Sequence, residues 1–256
     1  MEQRTSNGIG YLAGEWPLDP AKSTIVFIHG SGGSSAFWTA QVEALAERAN
    51  TVALDLPGHG RSGGNGHDRI EDYARAVVDF ISAIETPRPI PCGISLGGAI
   101  TQQLLLDFPD LFKAGILICT GSKLKVAPEI FDAIEKDIES YLAMIVKLVA
   151  SKATDPDRVK SFRDDTARCK SEILIQDFRA CDHFDVMQRL GSITAPVLVV
   201  TAEDDQVTPP KYGDFLESSI AKASRVHIME AGHIVTMEKP EEVNRAIIEF
   251  LDRTGL

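Results

Sequence analysis

Short apolar runs alternate with longer helical patterns over most of this chain. Helical spacing of apolar residues occurs at 39–49, 70–84 and 96–108, between the apolar runs. This alternation predicts an α/β fold with a mostly parallel sheet, covered by helices on both faces. The runs in the first half that have the aliphatic composition of buried strands are Ile25–Ile28, Thr51–Leu54, Ile90–Ile94 and Ala114–Cys119.

The alternation stops in the middle of the chain. No strand-like run occurs between residues 121 and 190, where Pro128 opens one long amphipathic stretch that extends to Leu148. Pro156 is a favourable first residue for a further helix. Strand–helix alternation then resumes and continues almost to residue 256. The predicted organisation is an α/β core domain, residues 1–120 and 191–256, interrupted by a helical lid, residues 121–190.

Composition excludes several classes of partner. The 256 residues carry 26 Lys and Arg against 37 Asp and Glu, a net charge of −11. Nucleic acids and anionic membrane surfaces attract clustered positive charge, so neither is expected as a partner. The N-terminus has no apolar segment of signal-peptide length, and no apolar run is long enough to span a bilayer. A cytoplasmic protein is therefore expected.

The four cysteines do not indicate a metal site or a disulfide framework. Cys92, Cys119, Cys169 and Cys181 are far apart, and no CxxC pair occurs. We expect four free thiols and no bound metal.

The sharpest local motif is Gly93-Ile94-Ser95-Leu96-Gly97. It follows a predicted strand and opens a predicted helix, which is the context of a nucleophile elbow. Such a turn places a serine hydroxyl above the edge of the sheet, at the positive end of the following helix. Ser95 is therefore the candidate nucleophile.

A serine nucleophile needs a base and an acid that orients the base. Of the six histidines, His233 follows the last predicted strand and precedes the last helix, at the sheet edge expected for Ser95. Glu203, Asp204 and Asp205 follow another strand at the same edge. The residue pattern alone does not choose among these three acids.

The loop after the first strong strand is rich in glycine. It reads His29-Gly30-Ser31-Gly32-Gly33 and can present the Ser31 N–H to a developing oxyanion. The Leu96 N–H, directly after the candidate nucleophile, is the second expected donor. This loop lacks the third glycine of GxGxxG, and GxxxxGK[ST] occurs nowhere in the chain, so no nucleotide cofactor is expected.

Taken together, these motifs identify a resemblance. The chain resembles serine hydrolases of the α/β-hydrolase fold that carry a helical lid, over about residues 20–254. The order of the candidate residues, serine, then acid, then histidine, is that of this fold. In such proteins the triad acid precedes an aliphatic residue by two positions and a proline by four, which implies Asp205, with Asp204 as the alternative. The matching motifs are HGSGG at 29–33, DLPGHGRS at 55–62, GISLGG at 93–98, DQVTP at 205–209 and GH at 232–233.

The resemblance implies an enzyme similar to carboxylesterases and enol-lactonases, acting on a small-molecule ester or lactone without a cofactor. Ser95 argues against haloalkane dehalogenases and epoxide hydrolases, which use an aspartate nucleophile. Carbon–carbon bond hydrolases of vinylogous β-diketones, perhydrolases and hydroxynitrile lyases reuse the same triad and stay open. A binding protein without catalysis is the alternative from another class, and assembly as a homodimer also stays open.

Substrate preference is expected to come from apolar residues near the elbow and in the lid. Arg179 and His183 are candidates for polar substrate contacts. The candidates for the apolar pocket are Trp38, Ile94, Met144, Phe184, Met187 and Met237.

Overall fold

A computed structural model describes residues 1–256 and contains one eight-stranded sheet. The strands are β1 Glu2–Ser6, β2 Ile9–Ala13, β3 Thr24–Ile28, β4 Asn50–Leu54, β5 Pro89–Ile94, β6 Gly115–Ile118, β7 Val197–Ala202 and β8 Ala223–Ile228. They lie in the order β1-β2-β4-β3-β5-β6-β7-β8. β2 pairs antiparallel with β1 and β4, and every other pair is parallel. The predicted α/β fold class is confirmed.

Ten α-helices accompany the sheet, with two 3-10 helices at Ser35–Trp38 and Met187–Ser192. None of the helices combines the length and the apolar character that crossing a membrane requires. The α-helices are α1 Thr39–Leu45, α2 Ile70–Ala83, α3 Leu96–Asp107, α4 Pro128–Lys136, α5 Ile138–Val149, α6 Pro156–Thr166, α7 Ser171–His183, α8 Lys211–Ser219, α9 Val235–Glu238 and α10 Pro240–Thr254.

The central strands are buried on both faces. Alternate residues of β3 pack into opposite clusters, with Ile25 and Phe27 in a core cluster of 35 buried residues and Val26 and Ile28 in one of 32. Because both faces are covered, the strands are continuous apolar runs rather than alternating ones. Polar loops therefore converge at the carboxyl-terminal edge of the parallel strands. Ligand sites in open α/β sheets lie at this edge.

The first hairpin was not among the predicted strands. β1 has the sequence Glu-Gln-Arg-Thr-Ser and lies mostly exposed at the edge of the sheet. An edge strand needs no apolar run, because it can be held by its ladder to β2 alone. A search for apolar runs therefore misses β1.

The segment between β6 and β7 contains helices α4 to α7 and no strand of the sheet. The single amphipathic stretch predicted from Pro128 is two helices, because Asp137 has extended backbone angles. Its carboxylate accepts a hydrogen bond from the Ser140 N–H at 2.7 Å and so caps α5. The apolar spacing continues across this break, which explains why periodicity does not reveal it.

Candidate active site

Ser95 lies on the sharp turn between β5 and α3. Its backbone has φ 55° and ψ −118°, a left-handed conformation that is uncommon for any residue except glycine. A Cβ on Gly93 would lie 1.9 Å from the Gly97 oxygen, and a Cβ on Gly97 would lie 2.1 Å from the Ile28 oxygen. Both glycines are therefore required for the strand and the helix to approach so closely.

Hydrogen bonds from the neighbouring strand hold this strained turn. The Ser95 N–H donates to the Ile118 carbonyl at 3.1 Å, and the Thr120 hydroxyl donates to the Ser95 carbonyl at 2.8 Å. Backbone strain of this kind persists only where the surroundings fix it, and it is concentrated at functional sites. The turn presents the Ser95 side chain at the first turn of α3.

The structure separates the three acids that the residue pattern left open. Asp205 is buried, and its Oδ2 lies 2.9 Å from His233 Nδ1. Asp204 is exposed and accepts a hydrogen bond from the Ser151 hydroxyl. Glu203 is also exposed and accepts from the Glu230 N–H at 3.0 Å. Asp205 is thus the acid that contacts the candidate base.

The environment of Asp205 keeps its carboxylate ionised. Burial opposes ionisation, but His233 and the hydrogen bonds from Thr208 outweigh it and hold the pKa of Asp205 below its ordinary value. The Thr208 N–H and hydroxyl each donate to this carboxylate at 2.8 Å. An ionised carboxylate only accepts, so His233 Nδ1 carries a proton and Nε2 is the nitrogen left to act as the base.

A second buried carboxylate supports the loop that carries His233. Glu238 accepts from the Gly232 N–H at 2.8 Å and from the Ser151 N–H at 2.9 Å. These bonds tie the residue before His233 to the end of α5. The base therefore lies on a loop that is fixed from two directions.

The glycine-rich loop after β3 lies beside Ser95. A Cβ on Gly30 would be 3.3 Å from the Ser95 Cβ, so the loop backbone passes directly next to the serine. Leu96 is the first residue of α3, and its N–H has no partner within the helix. Ser31 and Leu96, the two predicted oxyanion donors, thus flank the same serine.

Ser95 lies where two pockets meet. The inner pocket, with a volume of about 50 Å³, is lined by Ser95, His233 and mostly apolar side chains. The outer pocket, of about 240 Å³, is lined by Ser31, Ser95 and residues of the 124–130 segment. His233 is the only ionisable side chain on the inner wall other than Tyr141. The apolar residues of the inner pocket include Phe37, Ile94, Tyr141, Ile145, Val149 and Phe162.

Of the apolar pocket candidates, only Ile94 lines these pockets. Trp38 is fully buried and stacks on Phe27 with ring centroids 4.8 Å apart. Phe184 is buried in the core cluster of 32 residues, Met144 packs against the other cluster, and Met237 and Met187 line separate surface clefts.

Two of these predictions miss by one residue. Phe37 and Ile145 line the inner pocket, whereas their neighbours Trp38 and Met144 do not. Successive side chains point about 100° apart on an α-helix, such as that of Met144, and about 120° apart on a 3-10 helix, such as that of Trp38, so adjacent residues face different surroundings. The large size of Trp and Met indicated a pocket, but the helical phase was unknown from the sequence.

The two polar candidates from residues 121–190 also lie away from the pockets. Arg179 is exposed, and His183 Nδ1 lies 3.1 Å from the Asp68 carbonyl on the surface. Neither side chain lines the inner or the outer pocket. The charged side chain of residues 121–190 that does line the outer pocket is Lys125.

Cys119 is the thiol beside the acid and the base, whereas Cys181 lines the outer pocket. The Cys119 sulfur, an Asp205 oxygen and a His233 nitrogen lie within 4.8 Å of one another. Burial raises the pKa of the Cys119 thiol well above its ordinary value, so the thiol stays protonated near neutral pH. A protonated thiol is a poor metal ligand, and Asp205 and His233 already bond each other. The cluster fits a hydrogen-bonded acid and base better than a metal site.

A mostly parallel sheet, a strained serine turn and a buried histidine–aspartate pair define an enzyme of the α/β-hydrolase fold. The chain belongs to the alpha/beta hydrolase family, whose profile matches residues 25–246. This membership confirms the predicted superfamily and the predicted class of enzyme.

Individual relatives share most of their length with this chain. It is 27% identical to 3-oxoadipate enol-lactonase 2 of Acinetobacter baylyi, over 91% of this chain and 90% of the relative. It is 31% identical to the RutD protein of Variovorax paradoxus, named for carbamate hydrolysis, over 92% and 94%. A solved thermophilic esterase is 29% identical with a TM-score of 0.85, over 99% of this chain and 98% of that one.

Proposed function

We propose that the protein is a serine hydrolase that cleaves a carboxylic ester or lactone of a small molecule. Ser95 is the nucleophile, His233 the general base and Asp205 the acid that orients it. The observation that carries this proposal is the 2.9 Å contact from Asp205 to His233 Nδ1, with His233 and Ser95 on the wall of one pocket. The esterase and enol-lactonase relatives support the class of bond.

The reaction proceeds in two acyl-transfer steps. His233 Nε2 takes the proton of Ser95 as the hydroxyl attacks the substrate carbonyl, and Asp205 stabilises the imidazolium that forms. The Ser31 and Leu96 N–H groups hold the oxyanion. His233 then protonates the leaving oxygen, and an acyl-enzyme on Ser95 remains. Water repeats the cycle and releases the acid, so the reaction consumes one water and needs no redox partner.

The inner pocket restricts the substrate. No Asp, Glu, Lys or Arg lines it, so a charged group placed there would lose its hydration without gaining a partner. Its small volume admits a compact group, and the outer pocket leaves room for the larger part of the substrate. We therefore expect an ester or lactone with a compact apolar group on one side of the scissile bond.

The first test is chemical labelling and turnover. The wild-type protein should react with a fluorophosphonate probe and hydrolyse short p-nitrophenyl esters, and Ser95→Ala should abolish both. Ser192→Ala is a matched control, because Ser192 is an exposed serine whose hydroxyl donates to the Arg189 carbonyl. Retained turnover in Ser95→Ala would refute the proposal.

The relative named for carbamate hydrolysis supports a second candidate bond. The same serine and base can attack a carbamate carbonyl, with His233 protonating a leaving nitrogen. A panel of matched esters, lactones, carbamates and vinylogous β-diketones distinguishes these chemistries by kcat/KM. Peracid formation from acetate and hydrogen peroxide tests the perhydrolase alternative.

A further inference from the structure

Asp177 is a fully buried carboxylate of α7, and its hydrogen-bond donors come from other parts of the chain. Its Oδ2 accepts hydrogen bonds from the Gly32 N–H at 2.8 Å and from His59 Nε2 at 2.9 Å. Its Oδ1 accepts from the Tyr73 hydroxyl at 2.6 Å. All three donors lie outside residues 121–190. Gly32 and His59 are in the loops after β3 and β4, and Tyr73 is on α2, so one side chain of α7 bonds three separate elements.

The Gly32 N–H belongs to the loop that carries the proposed oxyanion donor. The Ser31 N–H shares a peptide with the Gly30 carbonyl, and this peptide is held at its oxygen end, where the carbonyl accepts from the Gly33 N–H at 3.1 Å and from His29 Nδ1 at 2.8 Å. His29 Nε2 accepts from the Leu56 N–H, so Nδ1 is the nitrogen that carries the proton. Burial lowers the pKa of His29 to about 4, which keeps the ring neutral.

The hydrogen bond on the other side of Ser31 comes from α7. The N–H of the peptide after Ser31 is that of Gly32, which has φ 68° and donates to Asp177. A Cβ on Gly32 would lie 2.8 Å from Leu174, so the same helix packs directly on the loop. Without Asp177, the loop around Ser31 would keep its Gly30–Gly33 turn but lose its restraint on the other side.

We propose that Asp177 is a positioning residue that holds the loop at Ser31, so that docking of α7 sets how well the oxyanion is stabilised. The proposal rests on the proposed hydrolase function. It predicts that Asp177 affects the transition state more than the binding of substrate, since a donor displaced by a fraction of an ångström loses most of its benefit at the oxyanion.

The charge of this cluster is balanced. His59 Nδ1 faces the Pro57 carbonyl at 3.1 Å and Nε2 faces Asp177, so both nitrogens have acceptors and the ring is an imidazolium. Burial opposes this charge, but Asp177 outweighs it and raises the pKa of His59 well above its ordinary value. Removing Asp177 alone would leave a buried cation, whereas removing both charges would not.

The test therefore uses a double variant, Asp177→Leu with His59→Leu, beside Asp177→Asn. In the double variant, kcat on a p-nitrophenyl ester should fall about 10-fold to 100-fold, because complete loss of one oxyanion donor typically lowers kcat by more than this. KM should change less than about 3-fold. Affinity for a trifluoromethyl ketone, which forms a tetrahedral adduct on serine, should fall by the same factor as kcat/KM. Asp177→Asn keeps an oxygen acceptor for Gly32 and should recover most of kcat.

Tyr73→Phe is the matched control. It removes a hydrogen bond to Asp177 but leaves the bond to Gly32, so kcat should stay within about 3-fold of wild type while stability falls. A double variant that loses stability but keeps kcat, or that raises KM alone, would overturn the proposal. Equal losses of kcat in Tyr73→Phe and the double variant would overturn it as well.

Failure of the proposed function is recognised separately. All rates are taken as the part that Ser95→Ala abolishes, and the folded fraction comes from near-UV circular dichroism. If the wild-type protein shows no such activity, the hydrolase assignment fails. If it does and the double variant matches wild type, only the role of Asp177 fails.

Discussion

The molecule contains two buried histidine–aspartate pairs with the same 2.9 Å separation, in two different regions. His233 and Asp205 lie at the carboxyl edge of the sheet, and His59 and Asp177 join the loop after β4 to α7. At the first pair, the second ring nitrogen is free and His233 lines a pocket with Ser95. At the second pair, both ring nitrogens face acceptors and the ring is closed off from both pockets.

This difference shows that a histidine–aspartate contact does not by itself make a general base. A base needs a neutral ring with one nitrogen free to accept a proton, which the ionised Asp205 provides by fixing the Nδ1 proton. The carboxylate of Asp177 instead stabilises a charged ring and accepts from a backbone N–H of the neighbouring loop. The first pair is arranged to exchange protons, and the second is arranged to hold structure.

The two pairs should differ most in kcat/KM when the same substitution is made at both aspartates. Asp205→Asn should lower kcat/KM about 10⁴-fold, because an amide favours the wrong tautomer of His233. Asp177→Asn should lower it less than about 10-fold, because its oxygen can still accept from Gly32. Steady-state kinetics on one p-nitrophenyl ester measures both. Equal losses would show that the two pairs have the same role.

Stability should respond in the opposite order. Asp177→Ala leaves the His59 imidazolium buried without a partner and should lower the free energy of unfolding by about 3–5 kcal/mol. Asp205→Ala leaves a ring that can stay neutral beside a pocket and should cost about 1–2 kcal/mol. Urea unfolding followed by circular dichroism gives both values. A larger loss at Asp205 would contradict the charge states assigned here.

The two pairs should also weaken at opposite ends of the pH scale. The pKa of His59 is raised in the folded state, so its contribution is complete below the ordinary pKa of 6.5 and is lost as pH rises through the folded value. The pKa of Asp205 is lowered, so its contribution is complete above 3.8 and is lost as pH falls through the folded value.

Paired unfolding measurements test these signs. The stability difference between wild type and the double variant Asp177→Leu, His59→Leu should shrink as pH rises above 6.5. The difference between wild type and Asp205→Asn should shrink as pH falls below 3.8. A difference that grows in either window would reverse the assigned charge state of that pair.

Loss of a hydrogen bond that supports the first pair should have a smaller effect than loss of Asp205 itself. Thr208→Val removes a hydroxyl that donates to Asp205 at 2.8 Å and should lower kcat/KM about 10-fold, or about 1.4 kcal/mol. Thr201→Val is the control, because its hydroxyl contacts His227 rather than Asp205. Kinetics of the two variants at one pH is sufficient, and equal effects would exclude a specific role for Thr208.

Local patterns predicted the central strands closely because these strands are buried on both faces. β3 to β6 begin and end within one residue of the four apolar runs named from the sequence. The polar edge strand β1 and the break at Asp137 were missed, since neither interrupts or creates an apolar period. Two pocket residues, Phe37 and Ile145, were missed by one position, because size and apolarity do not encode which way a side chain faces.

Asp177 shows the same limit of prediction from the sequence. It stands among buried apolar neighbours of α7, such as Ile173 and Leu174, and an acid on an apolar face is a visible signal of a buried partner. The partners themselves are far away in sequence, 145 residues for Gly32 and 118 for His59. No spacing rule connects them.

The sequence by itself determined the central strands of the sheet, the glycine-bounded turn at Ser95 and the edge at which candidate residues gather, because these follow from short-range sterics and apolar period. Only the tertiary structure decided which of three adjacent acids contacts His233, which apolar side chains face Ser95 and which carboxylate restrains the loop at Ser31. Each of these depends on the direction of a side chain and on contacts between distant segments, which packing alone fixes.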